Sequence, residues 1–236
     1  MACPELSVVI PAFNEEGRLA DSLRRLKPYL EGRSRPFELV LVDDGSSDGT
    51  LRVMRDAATK HTYVKVVGHP RNRGKGRALA SGVAESTGKR VLVSDADLST
   101  PIDELPKLEA ALADGAQVAI ASRAKRGARI EISQPPHRVL MGKVFNLIVQ
   151  ALLLPGIWDT QCGFKLFEGD LARELFGSLR TDGFAYDVEV LFGARRRQLV
   201  IAEIPVRWQH SAPTRVAAFR SSLDMLKDVI RIRLGT

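Results

Sequence analysis

The 236-residue chain predicts an α/β fold with a mostly parallel central sheet flanked by helices. Short apolar runs of strand length alternate with amphipathic helical stretches through the first half, the pattern of strand-helix units joined by right-handed crossovers. Three of those strands run into polar, carboxylate-bearing loops at 11–16, 43–48 and 95–99. In an open parallel sheet ligands bind beyond the carboxyl ends of the strands, so the three loops are expected to meet on one edge.

In chain order, residues 6–10 read as a buried strand and 15–30 as a helix carrying Leu19, Leu23, Leu26 and Leu30 on one face. A second strand, 37–43, runs into Asp43, Asp44, Gly45, Ser46, Ser47 and Asp48, and a helix follows to about residue 60. A third strand at 63–67, a helix at 75–86 and a strand at 90–94 complete this half, and a helix opens at Pro101. An apolar strand at 118–122 leads into Arg123, and helices are expected at 138–154, from 187 to 197 and at 218–234.

The strand at 90–94 ends in Asp95 and Asp97. With a period of two, both carboxylates project to one side, and converging hard oxygens suit Mg2+ or Mn2+, ions that complete their shell with substrate phosphates. Taken alone, the pair also reads as a strand-to-helix turn in which Asp97 or Ser99 caps the helix from Pro101. The companion loops on the same edge favour the metal.

Thirty-five Lys and Arg against twenty-eight Asp and Glu leave a formal charge of +7, which favours an anionic partner. Cys3 and Cys162 follow no disulfide or metal pattern, and the expectation is a reduced, cytosolic chain without a signal peptide. A dinucleotide fold needs Gly-x-Gly-x-x-Gly after the first strand, where this chain has Pro11, Ala12, Phe13, Asn14, Glu15 and Glu16. A P-loop is set aside too: 68–74 is one residue too long, and Gly76 stands where the metal-binding hydroxyl belongs. Residues 72–77 read instead as a basic, glycine-bearing loop opening a helix, able to approach an anion through its backbone and Lys75. Between 123 and 138 lie five Lys or Arg and a single acid, a loop suited to a phosphate. It has no interleaved aromatics, which argues against a nucleic-acid partner.

The stretches 8–16, 41–50, 72–76 and 95–97, in that order, resemble the successive signatures of inverting family 2 glycosyltransferases with the GT-A fold. Residues 121–123, 159–165 and 182–189 resemble its polyprenyl-phosphate subgroup, which includes dolichyl-phosphate glucosyltransferases and mannose synthases. The likeness implies a single GT-A domain over 1–236, with a nucleotide-sugar half at 1–122 and an acceptor-side half at 123–236.

By this resemblance Pro11, Phe13 and Glu15 hold the base and ribose of the nucleotide sugar, with Asp43 or Asp44 beside them. Individually, Glu15 also reads as a helix start, Phe13 as core and Asp44 as an Asx-turn residue before Gly45. Asp95, Asp97 and Gln161 are implied to hold the Mg2+ or Mn2+ ion that bridges the diphosphate, with His210 a second candidate. Lys75, and Arg215 in a closing loop, supply cations to the phosphates. Arg123 is expected to bind an acceptor phosphate bidentately. Asp159 is expected to orient the acceptor, or to act as base if the acceptor is a sugar hydroxyl. Catalytic roles thus fall to Asp97, Arg123 and Asp159. Asp187 and Glu189 read either as acceptor- or metal-side residues or as acids complementing a helix N-terminus.

The implied reaction is transfer of glucose from UDP-glucose to a polyprenyl (dolichyl) phosphate by metal-dependent inverting displacement. Alternatives are mannose from GDP-mannose, a sugar-hydroxyl acceptor, or a binding module without catalysis. The stretch 138–154 is apolar except for Arg138, Lys143, Asn146 and Gln150, the last three on one stripe. It is too short to span a bilayer and reads as an interfacial or a core helix. The segment 218–234 places Phe219, Leu223, Leu226, Ile230 and Leu234 on one face, with Arg220, Lys227, Arg231 and Arg233 elsewhere, and reads either as a helix on an anionic lipid surface or as one packed on its own domain with a solvated charged face. Peripheral attachment to the cytoplasmic face of a membrane is the expectation.

Overall fold

The computed structural model describes residues 3–132, 135–210 and 218–235. The chain runs β1 (Leu6–Ala12), α1 (Glu16–Glu31), β2 (Phe37–Asp43), α2 (Thr50–Lys60), β3 (Val64–Gly68), α3 (Lys75–Ala84) and β4 (Arg90–Ser94). A 3-10 turn (Ile102–Glu104) then leads into α4 (Leu105–Ala113) and β5 (Val118–Ser122). Beyond these come β6 (Arg129–Ile132), α5 (Pro136–Leu152), β7 (Phe164–Glu168), α6 (Gly169–Gly177), α7 (Tyr186–Arg196), β8 (Ile201–Pro205), β9 (Arg207–Gln209) and α8 (Ala218–Leu234).

Seven strands form one sheet in the order β3-β2-β1-β4-β7-β5-β8. All pairs are parallel except those of β7, which is antiparallel to both β4 and β5. Because β4 and β5 both oppose β7, they run in the same direction and their carboxyl ends share an edge with the start of β7. Alternate strand residues feed two cores. Val9, Val40, Val42, Val91 and Val93 pack under α3, α6 and α7, while Val8, Ile10, Leu39, Leu41 and Leu92 pack under α1 and α4. Burial on both faces is why these strands read as unbroken apolar runs.

Several boundaries move. β1 continues through Pro11 to Ala12, opposite Val42 and Asp43 of β2, whereas its pairing with β4 stops at Val9. Pro11 therefore sits where one neighbour asks nothing of its missing N–H. The helix expected at Pro101 starts as a 3-10 turn. The segment read as a basic loop contains the exposed strand β6, paired in parallel with β9. Among the described side chains of α8 Val229 is buried, flanked by Met225 and Ile232, while Ile230 and Leu234, two residues of the apolar face read in the sequence, are open rather than packed. Arg215 and the side chains of Phe219, Arg220 and Leu223 lie outside the described residues.

Candidate active site

The loops after β1 and β2 are stitched together by Asn14, whose backbone sits at φ 54°. Its Oδ1 accepts from the N–H groups of Ser47 at 2.8 Å and Asp48 at 3.3 Å, and its own N–H donates to Ser46 Oγ at 2.9 Å. The Glu15 N–H donates to Thr50 Oγ1 at 2.8 Å. Phe13 is left 42% exposed at the rim, whereas Pro11 is buried within β1. The exposed Phe13 ring is open for stacking on a planar group, whereas Pro11, buried in β1, offers no open side-chain surface.

The two acids after β2 part ways. Asp43 accepts weakly from the Ser46 N–H at 3.3 Å, the local turn contact expected of its neighbour. Asp44 reaches across to the third loop, accepting from the N–H groups of Arg73 and Gly74, both at 2.9 Å, and pairing with His69 Nδ1 at 2.7 Å. Asp44 thus fixes the loop that opens α3. At Gly74 (φ 98°) a Cβ would stand 2.4 Å from the Asp182 carbonyl, so the loop can close only on glycine.

At the centre, Asp95 and Asp97 leave the end of β4. Lys75 Nζ stands 2.5 Å from Asp95 Oδ1 and 5.6 Å from the centre of the Tyr186 ring. Burial alone would lower the Lys75 pKa, but Asp95 and Asp187 outweigh it and raise the value. Asp97 Oδ1 accepts from the Ser99 N–H at 2.9 Å, so the capping contact and the acidic pair coexist. Burial, and then the neighbouring Asp95, push the Asp97 carboxyl up. A carboxylate pair that resists its own second charge is a site that gains from a cation, and its hard oxygens fit a divalent one. Gly163, just before β7, is what admits Asp95: a Cβ there would lie 2.1 Å from Asp95 Oδ2. Gln161 sits in the same loop, its backbone N–H on Asp159 Oδ1 at 3.2 Å and its side-chain amide 3.6 Å from Met225 Sδ.

Arg123 follows β5 on the same edge and is gripped by Asp159. Its Nε and Nη2 donate to the two carboxylate oxygens at 2.7 and 2.8 Å, and its backbone N–H adds a third bond at 2.8 Å. The guanidinium also stacks over Trp208 at 5.3 Å. Burial would raise the Asp159 carboxyl, but the Arg123 charge and hydrogen bonds hold it below the usual range. His210 stacks on Trp208 with ring centres 6.0 Å apart.

Two residues that sequence reasoning passed over complete the site. The side chain of Glu203 in β8 is only 5% exposed and accepts from Ser122 Oγ at 2.8 Å, the Asp159 N–H at 2.8 Å and the Trp158 N–H at 3.1 Å, which clamps both halves of the Arg123–Asp159 unit. Lys165, 1% exposed in the middle of β7, donates to the Cys162 carbonyl at 2.6 Å and pairs with Asp187 at the start of α7. A charged residue inside a mostly apolar strand was the available signal for both, Lys165 in β7 and Glu203 in β8. Asp187 is therefore a buried partner of Lys165, its carboxyl raised by burial. Glu189 accepts from the N–H groups of Arg180 and Thr181 at 2.9 and 2.8 Å, ordering the turn before its own helix. A cleft of about 910 Å3 between α6, α7 and α8 shares none of the acidic-pair or Arg123 residues.

The model of the family described as Glycosyl transferase family 2 matches residues 7–176, which takes in the three loops, the acidic pair and the Arg123–Asp159 unit. The chain belongs to glycosyltransferase family 2. As a family 2 glycosyltransferase it is 38% identical over 243 residues to the dolichyl-phosphate beta-glucosyltransferases of Mus musculus and Homo sapiens, covering 98% of this chain and 75% of theirs. The Saccharomyces cerevisiae protein of that name is 34% identical over 253 residues, covering 98% of this chain and 74% of its own length. Glucosyl-3-phosphoglycerate synthase from Mycobacterium tuberculosis, solved with Mn2+, UDP-glucose and phosphoglyceric acid, superimposes with a TM-score of 0.75 at 20% identity. That match covers 98% of this chain and 80% of the other, and it establishes the GT-A fold.

Proposed function

We propose that this glycosyltransferase moves glucose from UDP-glucose to dolichyl phosphate, giving a β-linked lipid-phosphate sugar. The observation that carries the reading is the Arg123–Asp159 pair, which sits on the same sheet edge as Asp95 and Asp97 and so puts a phosphate-binding guanidinium beside the donor loops. The curated relatives named for glucose transfer to dolichyl phosphate, similar over nearly all of this chain, support the choice of sugar and acceptor.

In this reading Asp95 and Asp97, with Gln161, hold a Mg2+ or Mn2+ ion, which when bound acts as a Lewis acid for the charge that develops on the departing diphosphate. Phe13, Glu15 and Asp43 line the base and ribose, and Lys75 faces the phosphates, with Arg215 a second cation for them. An oxygen of the acceptor phosphate forms its bond to the anomeric carbon as the bond to the UDP oxygen breaks, and the configuration inverts. The acceptor is already an anion, so no proton has to be removed and positioning is the protein's main task. A depressed pKa makes Asp159 a weak base but a firm anchor for Arg123, which favours the phosphate acceptor over a sugar hydroxyl. Two nitrogens of Arg123 are occupied by Asp159, leaving Nη1 for the acceptor. Among the described residues no helix is long and apolar enough to cross a membrane. It is the proposed lipid acceptor that places the enzyme, in this reading, at the cytoplasmic membrane surface.

The test is incubation of the purified protein with Mg2+ or Mn2+, polyprenyl phosphate and labelled UDP-glucose or GDP-mannose. Metal-dependent appearance of lipid-extractable label from UDP-glucose is expected. Label from GDP-mannose instead, or no lipid product from either donor, overturns the assignment.

A further inference from the structure

The loop between β3 and α3 has the look of an anion cradle, a basic, glycine-bearing turn at a helix N-terminus, yet its amides are engaged within the protein. The N–H groups of Arg73 and Gly74 donate to Asp44, both at 2.9 Å, and those of Gly76 and Arg77 donate to the Asp182 carbonyl at 2.8 and 3.3 Å. What the loop brings to the acidic pair is the side chain of Lys75, whose Nζ stands 2.5 Å from Asp95 Oδ1. A point charge on a flexible stem goes where its backbone is held. Residues 70–73 are exposed and have no seat in either core, so the backbone just before Lys75 is held chiefly by Asp44.

Asp44 is in turn held by His69, the residue after β3. The His69 ring bridges two elements, with Nδ1 2.7 Å from Asp44 Oδ1 and Nε2 2.9 Å from Ser81 Oγ in α3, and its backbone N–H donates to the Asp43 carbonyl at 2.9 Å. The side chains of His69 and Asp44 are 7% and 4% exposed, so water does not substitute for either partner. A carboxylate only accepts, so Nδ1–H donates to Asp44, while the Ser81 hydroxyl, which can donate or accept, serves Nε2. The two links differ in consequence. Ala78, Leu79 and Val83 are at most 1% exposed and fix α3 in the core with or without Ser81. The exposed loop has no such anchor, and the Asp44 link is the one that bears on Lys75.

We infer that His69 is a positioning residue for donor binding. Through Nδ1 it sets the Asp44 carboxylate, Asp44 sets the amides of Arg73 and Gly74, and these set where the Lys75 ammonium meets the diphosphate of the donor. The inference rests on the nucleotide-sugar donor proposed above.

The experiment exploits the two ring nitrogens. Asparagine at position 69 places an amide donor where Nδ1 stands, and glutamine places its amide where Nε2 stands, so His69→Asn keeps the Asp44 link and His69→Gln keeps the Ser81 link. UDP with Mg2+ is titrated calorimetrically into wild type, His69→Asn, His69→Gln and His69→Ala, with melting midpoints recorded for each. His69→Asn is expected to bind UDP within about threefold of wild type, and His69→Gln and His69→Ala at least about tenfold more weakly. In a Lys75→Ala background the same changes at position 69 are expected to alter UDP affinity by less than about twofold, because the residue they act through is gone. Equal affinities of the Asn and Gln variants, or full additivity with Lys75→Ala, overturn the inference. Failure of all three variants to fold makes His69 a stability residue and overturns it too. If wild type binds GDP but not UDP, the proposed donor falls, and the order of the variants read with GDP still decides the role of His69. Binding of neither nucleotide by wild type overturns both.

Discussion

Replacing Arg123 by Met strands Asp159, a carboxylate 7% exposed, without its partner, and such a break in a buried pair costs about 3–5 kcal/mol. Asp159→Asn is milder, because 26% of the Arg123 side chain remains accessible to water and the asparagine Oδ1 still accepts the Arg123 N–H; about 1.5–3 kcal/mol is expected. In Arg123→Met/Asp159→Asn no charge is left stranded, and the cost falls to about 1–2 kcal/mol. The double-mutant cycle should thus return a coupling of at least about 2 kcal/mol, well outside the additive range. For a chain of this size about 1 kcal/mol moves the melting midpoint by roughly 2–4 °C, so Arg123→Met should melt about 6–20 °C low and the double variant should recover most of the loss. All three variants should lose transfer to lipid phosphate, while the double variant keeps metal-dependent donor hydrolysis, since the acidic pair is untouched. Additive stability losses, or normal lipid transfer by the double variant, refute the assignment of the pair to the acceptor.

Gly163→Ala should drive a methyl group into Asp95 and weaken Mn2+ binding by at least about tenfold in a paramagnetic-resonance titration; an unchanged affinity removes Asp95 from the ion's shell. Glu203→Ala leaves the Asp159 N–H and Ser122 Oγ without their acceptor, about 1–3 kcal/mol each, and should lower kcat on lipid acceptor with KM for the donor unchanged. Glu203→Gln, which keeps an acceptor oxygen, should restore part of that rate. Burial would raise the Glu38 carboxyl, but Lys65, Ser7 and Thr87 hold it below its ordinary 4.5. Its contribution is therefore present above about pH 4.5 and lost as pH falls through the lower folded value, so acid unfolding of Glu38→Gln should depend less steeply on pH than that of wild type.

Among the strands, those expected at 37–43, 90–94 and 118–122 have the expected ends, because burial on both faces writes an unbroken apolar run that any reader of the chain meets. The loops after β1, β2 and β4 were legible for the same reason: once those strands are parallel, their carboxyl ends can only share an edge. β6 went unread although Arg129, Ile130, Glu131 and Ile132 alternate, since four exposed residues beside Lys125 and Arg126 look like basic loop until β9 pairs with them. Asp44 read as a nucleotide-side residue or a turn residue, since a carboxylate before glycine satisfies that local pattern, and its role in fixing the next loop was hidden because its three partners lie 25 to 30 residues on.

Local sequence by itself determined five of the seven strands of the sheet, the order of the strand-helix units in the first half and the acidic pair at Asp95 and Asp97, since these follow from periodicity and from residues adjacent in the chain. Only the tertiary structure decided that Asp159 belongs to Arg123, that Glu203 clamps them, that Lys165 is buried on Asp187, and that α5 buries Asn146 against the Trp158 carbonyl. The Lys165 pair depends on β7 entering the sheet antiparallel between β4 and β5, and the Glu203 clamp on β8 pairing with β5, long-range pairings that bring together charges and amides far apart in sequence. Their burial in one low-dielectric neighbourhood is what makes the partners matter.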